Sequence, residues 1–158
     1  MRRPLGTVIV VNEEAALREF LQRVLFAEGL RPLTVEDVPA LFRLAATIKP
    51  SLILLDALTP TIDGWDALRA LKADPGSKPC PVVLMGDIED RLTARARGAA
   101  DFLVKPIDSN AVVHMLDRLG PLPALLAVPV HQAAAARQPV REIRFGGWRR
   151  RSPGHYDA

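Results

Sequence analysis

The sequence predicts an α/β fold, a doubly wound parallel sheet of five strands in the order 2-1-3-4-5 with five helices. Three observations predict it. Short apolar runs rich in β-branched residues recur along the chain, longer segments with helical periodicity separate them, and the two alternate strictly. Runs such as Val8-Ile9-Val10-Val11 and Leu52-Ile53-Leu54-Leu55 carry no polar alternation. That marks strands buried on both faces, as in a parallel sheet covered by helices.

The first strand spans Thr7 to Val11. The helix after it places Leu17, Phe20, Leu21, Val24 and Leu25 on one stripe at spacings of three and four, with Gly29 suited to its C-terminal cap. A weaker strand, Leu33 to Val35, leads to a second helix with Asp37 as N-cap, Pro39 in its first turn, and Leu41, Leu44, Ala45 and Ile48 facing inward. The third strand, Leu52 to Leu55, ends at Asp56. The turn signals of Thr59-Pro60-Thr61-Ile62-Asp63-Gly64 follow, then a helix through Leu68 and Leu71 that stops at Asp74-Pro75-Gly76. Val82 to Met85 is the fourth strand, Leu92 to Arg97 a short helix closed by Gly98, Phe102 to Val104 the fifth strand and Asn110 to Leu119 the fifth helix. This is the flavodoxin-like winding, with right-handed crossovers and helices on both faces.

The chain has 158 residues, 49% of them hydrophobic and 25% charged, which suits one cored domain with a tail. No apolar run reaches the roughly 18 residues of a membrane span, and Met1-Arg2-Arg3-Pro4 leads into no signal-type apolar stretch. The reading is cytoplasmic. Cys80 is the only cysteine, which excludes an internal disulfide and a cysteine metal cluster and leaves a small packing residue. The net charge of +3 is uneven: residues 1–130 carry 15 basic and 16 acidic groups, residues 131–158 six arginines and two acids. Attraction to nucleic acid would therefore be local to the tail.

The domain is expected over residues 1–120, a Pro/Ala-rich linker over 121–140 (Pro121, Pro123, Pro129, Pro139 and Ala133 to Ala136), and a basic tail over 141–158.

In a doubly wound sheet the ligand crevice lies beyond the carboxyl ends of the strands. Those ends deliver Asn12-Glu13-Glu14, Asp56, Gly86-Asp87 and Lys105-Pro106 to one edge. A carboxylate cluster facing a lysine has the parts that phosphoryl transfer needs: a nucleophile, hard oxygen ligands for a divalent ion, and a balancing cation.

At these residues the chain resembles the receiver domain of two-component response regulators, from about Thr7 to Leu119. The resemblance is carried by the acidic end of strand one, by Leu-Leu-Asp56 followed by Pro60 and Asp63-Gly64, and by Gly98-Ala99-Ala100-Asp101-Phe102-Leu103-Val104-Lys105-Pro106. It implies that Asp56 accepts phosphate from a histidine kinase or phosphotransfer protein. It implies further that Glu13, Asp56 and the Leu58 carbonyl hold magnesium, with Asn12 reaching it through water. Lys105 would then contact the phosphoryl oxygens, and Phe102 matches an aromatic switch position. The face of helix four, strand five and helix five is a homodimer surface in the OmpR-type members.

The departures from the family pattern set further expectations. Asn12 replaces one of two acids and Glu13 is longer by a methylene, so magnesium binding should be weak. Asn12 and Glu13 could instead simply cap the first helix, and Phe102 could be plain core packing. Gly86 stands where the family has Ser or Thr, and it has no hydroxyl to donate. The loop Met85 to Asp90 is a few residues short, and Asp87 would set a negative charge near an incoming phosphate. Trp65 is expected half-exposed near the site entrance, and His114 on the surface. Glu142-Ile143-Arg144-Phe145-Gly146-Gly147-Trp148 looks like the opening strand of an OmpR/PhoB-type winged-helix domain, but Arg149-Arg150-Arg151 follows and no recognition helix does. Sequence-specific DNA binding is not expected. Three functions compete: a phosphoacceptor receiver atypical at its metal and switch positions; a phosphorylation-independent pseudo-receiver acting as a protein-interaction module; and a truncated transcription factor.

Overall fold

The computed structural model describes residues 6–59 and 63–122. Five parallel strands, β1 (Thr7–Val11), β2 (Arg31–Val35), β3 (Leu52–Asp56), β4 (Val82–Gly86) and β5 (Asp101–Val104), lie in the order β2-β1-β3-β4-β5. Helices α1 (Ala15–Ala27), α2 (Val38–Thr47), α3 (Gly64–Ala73), α4 (Arg91–Ala96) and α5 (Ser109–Leu119) connect or follow them. The predicted class, order and alternation are those observed.

The absence of polar alternation has a direct cause. Successive side chains of one strand enter two different cores. Ile9, Val11, Ile53, Leu55, Val82 and Leu84 pack with Leu41 of α2, Leu68 and Leu71 of α3 and Ala94 of α4. Val8, Val10, Leu52, Leu54, Val83 and Met85 pack on the other face with Leu21 and Leu25 of α1 and Val112 and Met115 of α5.

Element ends differ from the expectation in ways that local chemistry explains. β2 begins two residues earlier, at Arg31, and so contains Pro32. The strand tolerates it because β2 is an edge strand: Arg31 donates its N–H inward to the Gly6 carbonyl at 2.9 Å, so position 32 turns its missing N–H outward. Ile48, expected on the inner face of the second helix, is instead the extended C-cap of α2 and only half-buried. Lys49 precedes Pro50, and the residue before a proline resists helical angles. Asp37 is the α2 N-cap, accepting from the Ala40 N–H at 2.8 Å. α5 begins one residue earlier than expected because Asp108 caps it, accepting from the Ala111 N–H at 2.7 Å. α4 also starts one residue early, after a single 3-10 turn at Ile88–Asp90.

Of the expected linker, Leu122 packs against the α1/α5 core. The linker from residue 123 and the basic tail of 141–158 lie outside the described residues. Among the described residues no helix is long and apolar enough to cross a membrane.

Candidate functional site

The carboxyl ends of β1, β3, β4 and β5 sit side by side, and each delivers one polar or special residue. Asp56 is the last residue of β3 and is 3% exposed. Its neighbours are fixed by the sheet: the Ala57 N–H donates to the Met85 carbonyl at 2.9 Å, and the Lys105 N–H to the Gly86 carbonyl at 2.9 Å. The Lys105 ammonium thus starts from a pinned backbone and donates to Asp56 Oδ2 at 2.6 Å. Lys105 stays one-third exposed, with the carboxylate buried beneath it.

Asn12 follows β1 and is 1% exposed. Its backbone N–H donates to the Val35 carbonyl at 3.2 Å, and its Oδ1 accepts from the Glu14 N–H at 2.7 Å. With the carbonyl end of the amide engaged there, the NH2 end must face the other way. It donates to Asp56 Oδ2. The Leu58 N–H supplies a third donor, to Oδ1 at 2.9 Å. Both oxygens of the buried carboxylate are therefore satisfied by the protein, and the adjacent Lys105 ammonium balances its charge. Asn12 does not cap α1 directly: the α1 N-cap is Glu14, whose side chain makes no capping bond.

Glu13 lies on the exposed turn. The structure groups Asp56, Asn12 and Lys105 and does not bring Glu13 into that network. Among the described residues no cluster of three or more His, Cys, Asp or Glu side chains is placed to hold a metal. Magnesium, however, asks for only one or two carboxylates and keeps several waters. Asp56, Glu13 and the Leu58 carbonyl are hard oxygen donors at one sheet edge, so the donor set fits that ion in kind.

Two glycines shape the site. A Cβ on Gly64, the first residue of α3, would stand 2.8 Å from Ala57 Cα and 2.9 Å from Ala57 O, and closer still to the Asp56 carbonyl oxygen. Only glycine lets α3 start against the strand end that carries Asp56. Gly86 is the buried last residue of β4, and a Cβ there would meet Phe102 Cζ at 3.3 Å, Ala57 Cβ at 3.4 Å and Asp90 Oδ2 at 3.6 Å. The Phe102 ring, 4% exposed and part of the core, fills the space beside residue 86.

Asp87 is exposed. Asp90, which sequence reasoning did not single out, reaches the space beside Gly86. Arg18 was missed as well: it donates to the Asn12 carbonyl at 2.8 Å and the Glu13 carbonyl at 2.9 Å. The signal for it was there, a cation in the first turn of a helix, where the dipole disfavours one. Trp65 is half-buried with the Arg97 guanidinium 5.1 Å from its ring centroid, and His114 is exposed. Cys80 is half-buried, its thiol donating to the Pro50 carbonyl at 3.3 Å, and burial pushes its pKa up to about 11. It is a packing residue.

Comparison with protein families matches residues 8–117 to the response regulator receiver domain. The response regulator PleD of Caulobacter vibrioides is 38% identical over 104 residues, which are 64% of this chain and 23% of PleD. The phosphate regulon regulator PhoB of Escherichia coli is 32% identical over 109 residues, 67% of this chain and 48% of PhoB. The chain thus spans half or less of these relatives. Among solved structures, the chemotaxis response regulator CheY4 of Vibrio cholerae superposes with a TM-score of 0.68 at 21% identity, covering 73% of this chain and 99% of CheY4. That likeness is one of fold.

Proposed function

The chain belongs to the response regulator receiver domain family, and on that premise we propose that Asp56 is its phosphoacceptor, in a site atypical at its metal and switch positions. The observation that carries the proposal is the buried Asp56 carboxylate at a strand end with the Lys105 ammonium 2.6 Å from it. A receiver domain of a two-component system takes its phosphoryl group from a histidine kinase or phosphotransfer protein. In that reaction a carboxylate oxygen of Asp56 bonds to phosphorus as the phosphorus–nitrogen bond of the donor breaks, and the electron pair leaves on the imidazole.

Lys105 is already at the reacting carboxylate, and a short swing takes its charge to the phosphoryl oxygens, where negative charge collects. Asn12 must release Oδ2 in the same step. Asp56, Glu13 and the Leu58 carbonyl would hold magnesium, with Asn12 contributing through water. Bound magnesium supplies neutralisation of the carboxylate and phosphoryl charges. The missing second acid makes that binding weak. Asp87 and Asp90 add negative charge beside β4 and oppose an incoming phosphate.

A second reading is favoured by two observations. Asn12 and Lys105 already satisfy Asp56, and Phe102 fills the space beside Gly86. Both suit a pseudo-receiver that binds a partner whether or not Asp56 is modified. The remaining expectations belong to the same proposal: a cytoplasmic location, a homodimer through α4, β5 and α5, where Leu92 is 78% exposed, no sequence-specific DNA binding by this chain, and domain limits of 1–120, 121–140 and 141–158.

Incubation with magnesium and a small phosphodonor tests the first reading. It predicts a base-labile, acid-stable adduct that Asp56→Asn abolishes, and no adduct from any donor or kinase would overturn it. The pseudo-receiver predicts partner binding unchanged by Asp56→Asn and Asp56→Glu.

A further inference from the structure

We infer that Arg18 is a positioning residue for the turn that carries Asn12 and Glu13, holding it in the geometry the Asp56 site uses; this rests on the phosphoacceptor reading. Arg18 stands in the first turn of α1, and its side chain is 16% exposed. Its Nη1 donates to the Asn12 carbonyl at 2.8 Å and the Glu13 carbonyl at 2.9 Å, so one nitrogen bridges two consecutive peptide units. Nη2 faces Glu36 Oε1 at 3.6 Å, on the loop between β2 and α2.

For α1 itself this placement is unfavourable. A cation in the first turn opposes the helix dipole, that turn holds no acidic residue, and no side chain caps it. A residue that works against its own helix is best explained by what it does elsewhere. Here it gives the turn two charge-assisted hydrogen bonds, stronger than the neutral ones that otherwise hold it.

The position of the turn matters to the site because the contacts of Asn12 must all be met at once. Its N–H is tied to Val35, its Oδ1 to the Glu14 N–H, and its NH2 to Asp56. A shift of the turn toward solvent would draw the amide off Asp56 and move Glu13 with it. Arg18 touches neither Asp56 nor a reacting atom and acts through the two carbonyls alone. Its partner Glu36 is 78% exposed along its side chain, so the ion pair contributes little beside the carbonyl bonds.

The test compares the full chain with Arg18→Gln, Arg18→Met and Arg18→Lys. The readouts are the Asn12 side-chain amide resonances without metal, the magnesium half-saturation by calorimetry, the phosphorylation rate with a small donor, and the thermal midpoint. In Arg18→Gln the Asn12 amide resonances should shift and magnesium half-saturation rise by about tenfold or more, the usual size of an outer-layer effect on a metal site. Arg18→Met, which keeps the apolar stem, should behave the same, and carries the test if Arg18→Gln does not fold. Arg18→Lys should recover part of the loss. Asn12 amide resonances and magnesium half-saturation indistinguishable from wild type in the Gln or Met variant, whatever the thermal midpoint does, would overturn the inference. A wild-type chain that takes no phosphoryl group defeats the phosphoacceptor reading instead, and the amide and magnesium readouts still decide the role of Arg18.

Discussion

Asn12→Asp should turn a weak magnesium site into a strong one. In the wild-type site the Asn12 amide donates to Asp56 Oδ2 beside the Lys105 ammonium, so Asp56 is neutralised once and fully hydrogen-bonded. The substitution replaces that donor with a second carboxylate. Two unit charges about 4 Å apart interact by about 1 kcal/mol even at the dielectric of bulk water. The added carboxylate is therefore worth about 2 kcal/mol to a divalent ion, while its repulsion with Asp56 is the same before and after the ion binds and cancels. That gives roughly thirtyfold in Kd. The metal-free variant should be less stable by about 1–3 kcal/mol, since Asp56 loses a buried donor and faces a like charge. Magnesium should restore the difference. Calorimetric titration measures the Kd, and Trp65 fluorescence in a Trp148→Phe background follows it independently. A change in Kd of less than threefold would refute the reasoning, because it would mean that Asn12 is not at the ion-binding edge.

The remaining predictions concern packing and ionisation. Gly64→Ala forces a Cβ into the Asp56–Ala57 backbone, so urea unfolding should show a loss of about 3 kcal/mol or a failure to fold; a loss below about 0.5 kcal/mol contradicts the close approach. Gly86→Thr presses on a ring 3.3 Å from the Cβ position and should cost about 1–3 kcal/mol while shifting the Phe102 ring resonances. Unchanged ring resonances and stability would show that the ring is not confined. Burial raises the Cys80 thiol from 9.0 to about 11, which favours the neutral form on folding. That contribution to stability is complete below pH 9 and is lost as pH rises through 11. At pH 8 alkylation should be about a hundredfold slower in the folded chain than in urea, since only thiolate reacts; equal rates would contradict the burial.

Much of this was legible in the sequence because one pattern served two purposes. Val8 to Val11 and Leu52 to Leu55 are apolar throughout since each strand feeds two cores, and the same runs end at the polar residues that form the site. Asp56 and Lys105, far apart in the chain, could be paired from strand order alone. What stayed hidden depended on side-chain direction. Sequence could place Asn12 near the site but not show that the Glu14 N–H turns its amide onto Asp56. Gly86 was visible as a missing hydroxyl, while its role as the space beside Phe102 required coordinates. Ile48 fitted the helical stripe, and only the effect of Pro50 removed it. Arg18 was not singled out from the sequence, because its importance lies in the two carbonyls its side chain reaches.

The central claim is that Asp56 accepts a phosphoryl group. Its most direct test is phosphorylation by a small donor with magnesium, reduction of the acyl phosphate with borohydride, and peptide mapping by mass spectrometry. The account predicts a single reduced residue, at position 56, and none in the Asp56→Asn protein. Reduction at another residue, or no reduction at any donor concentration, would contradict it.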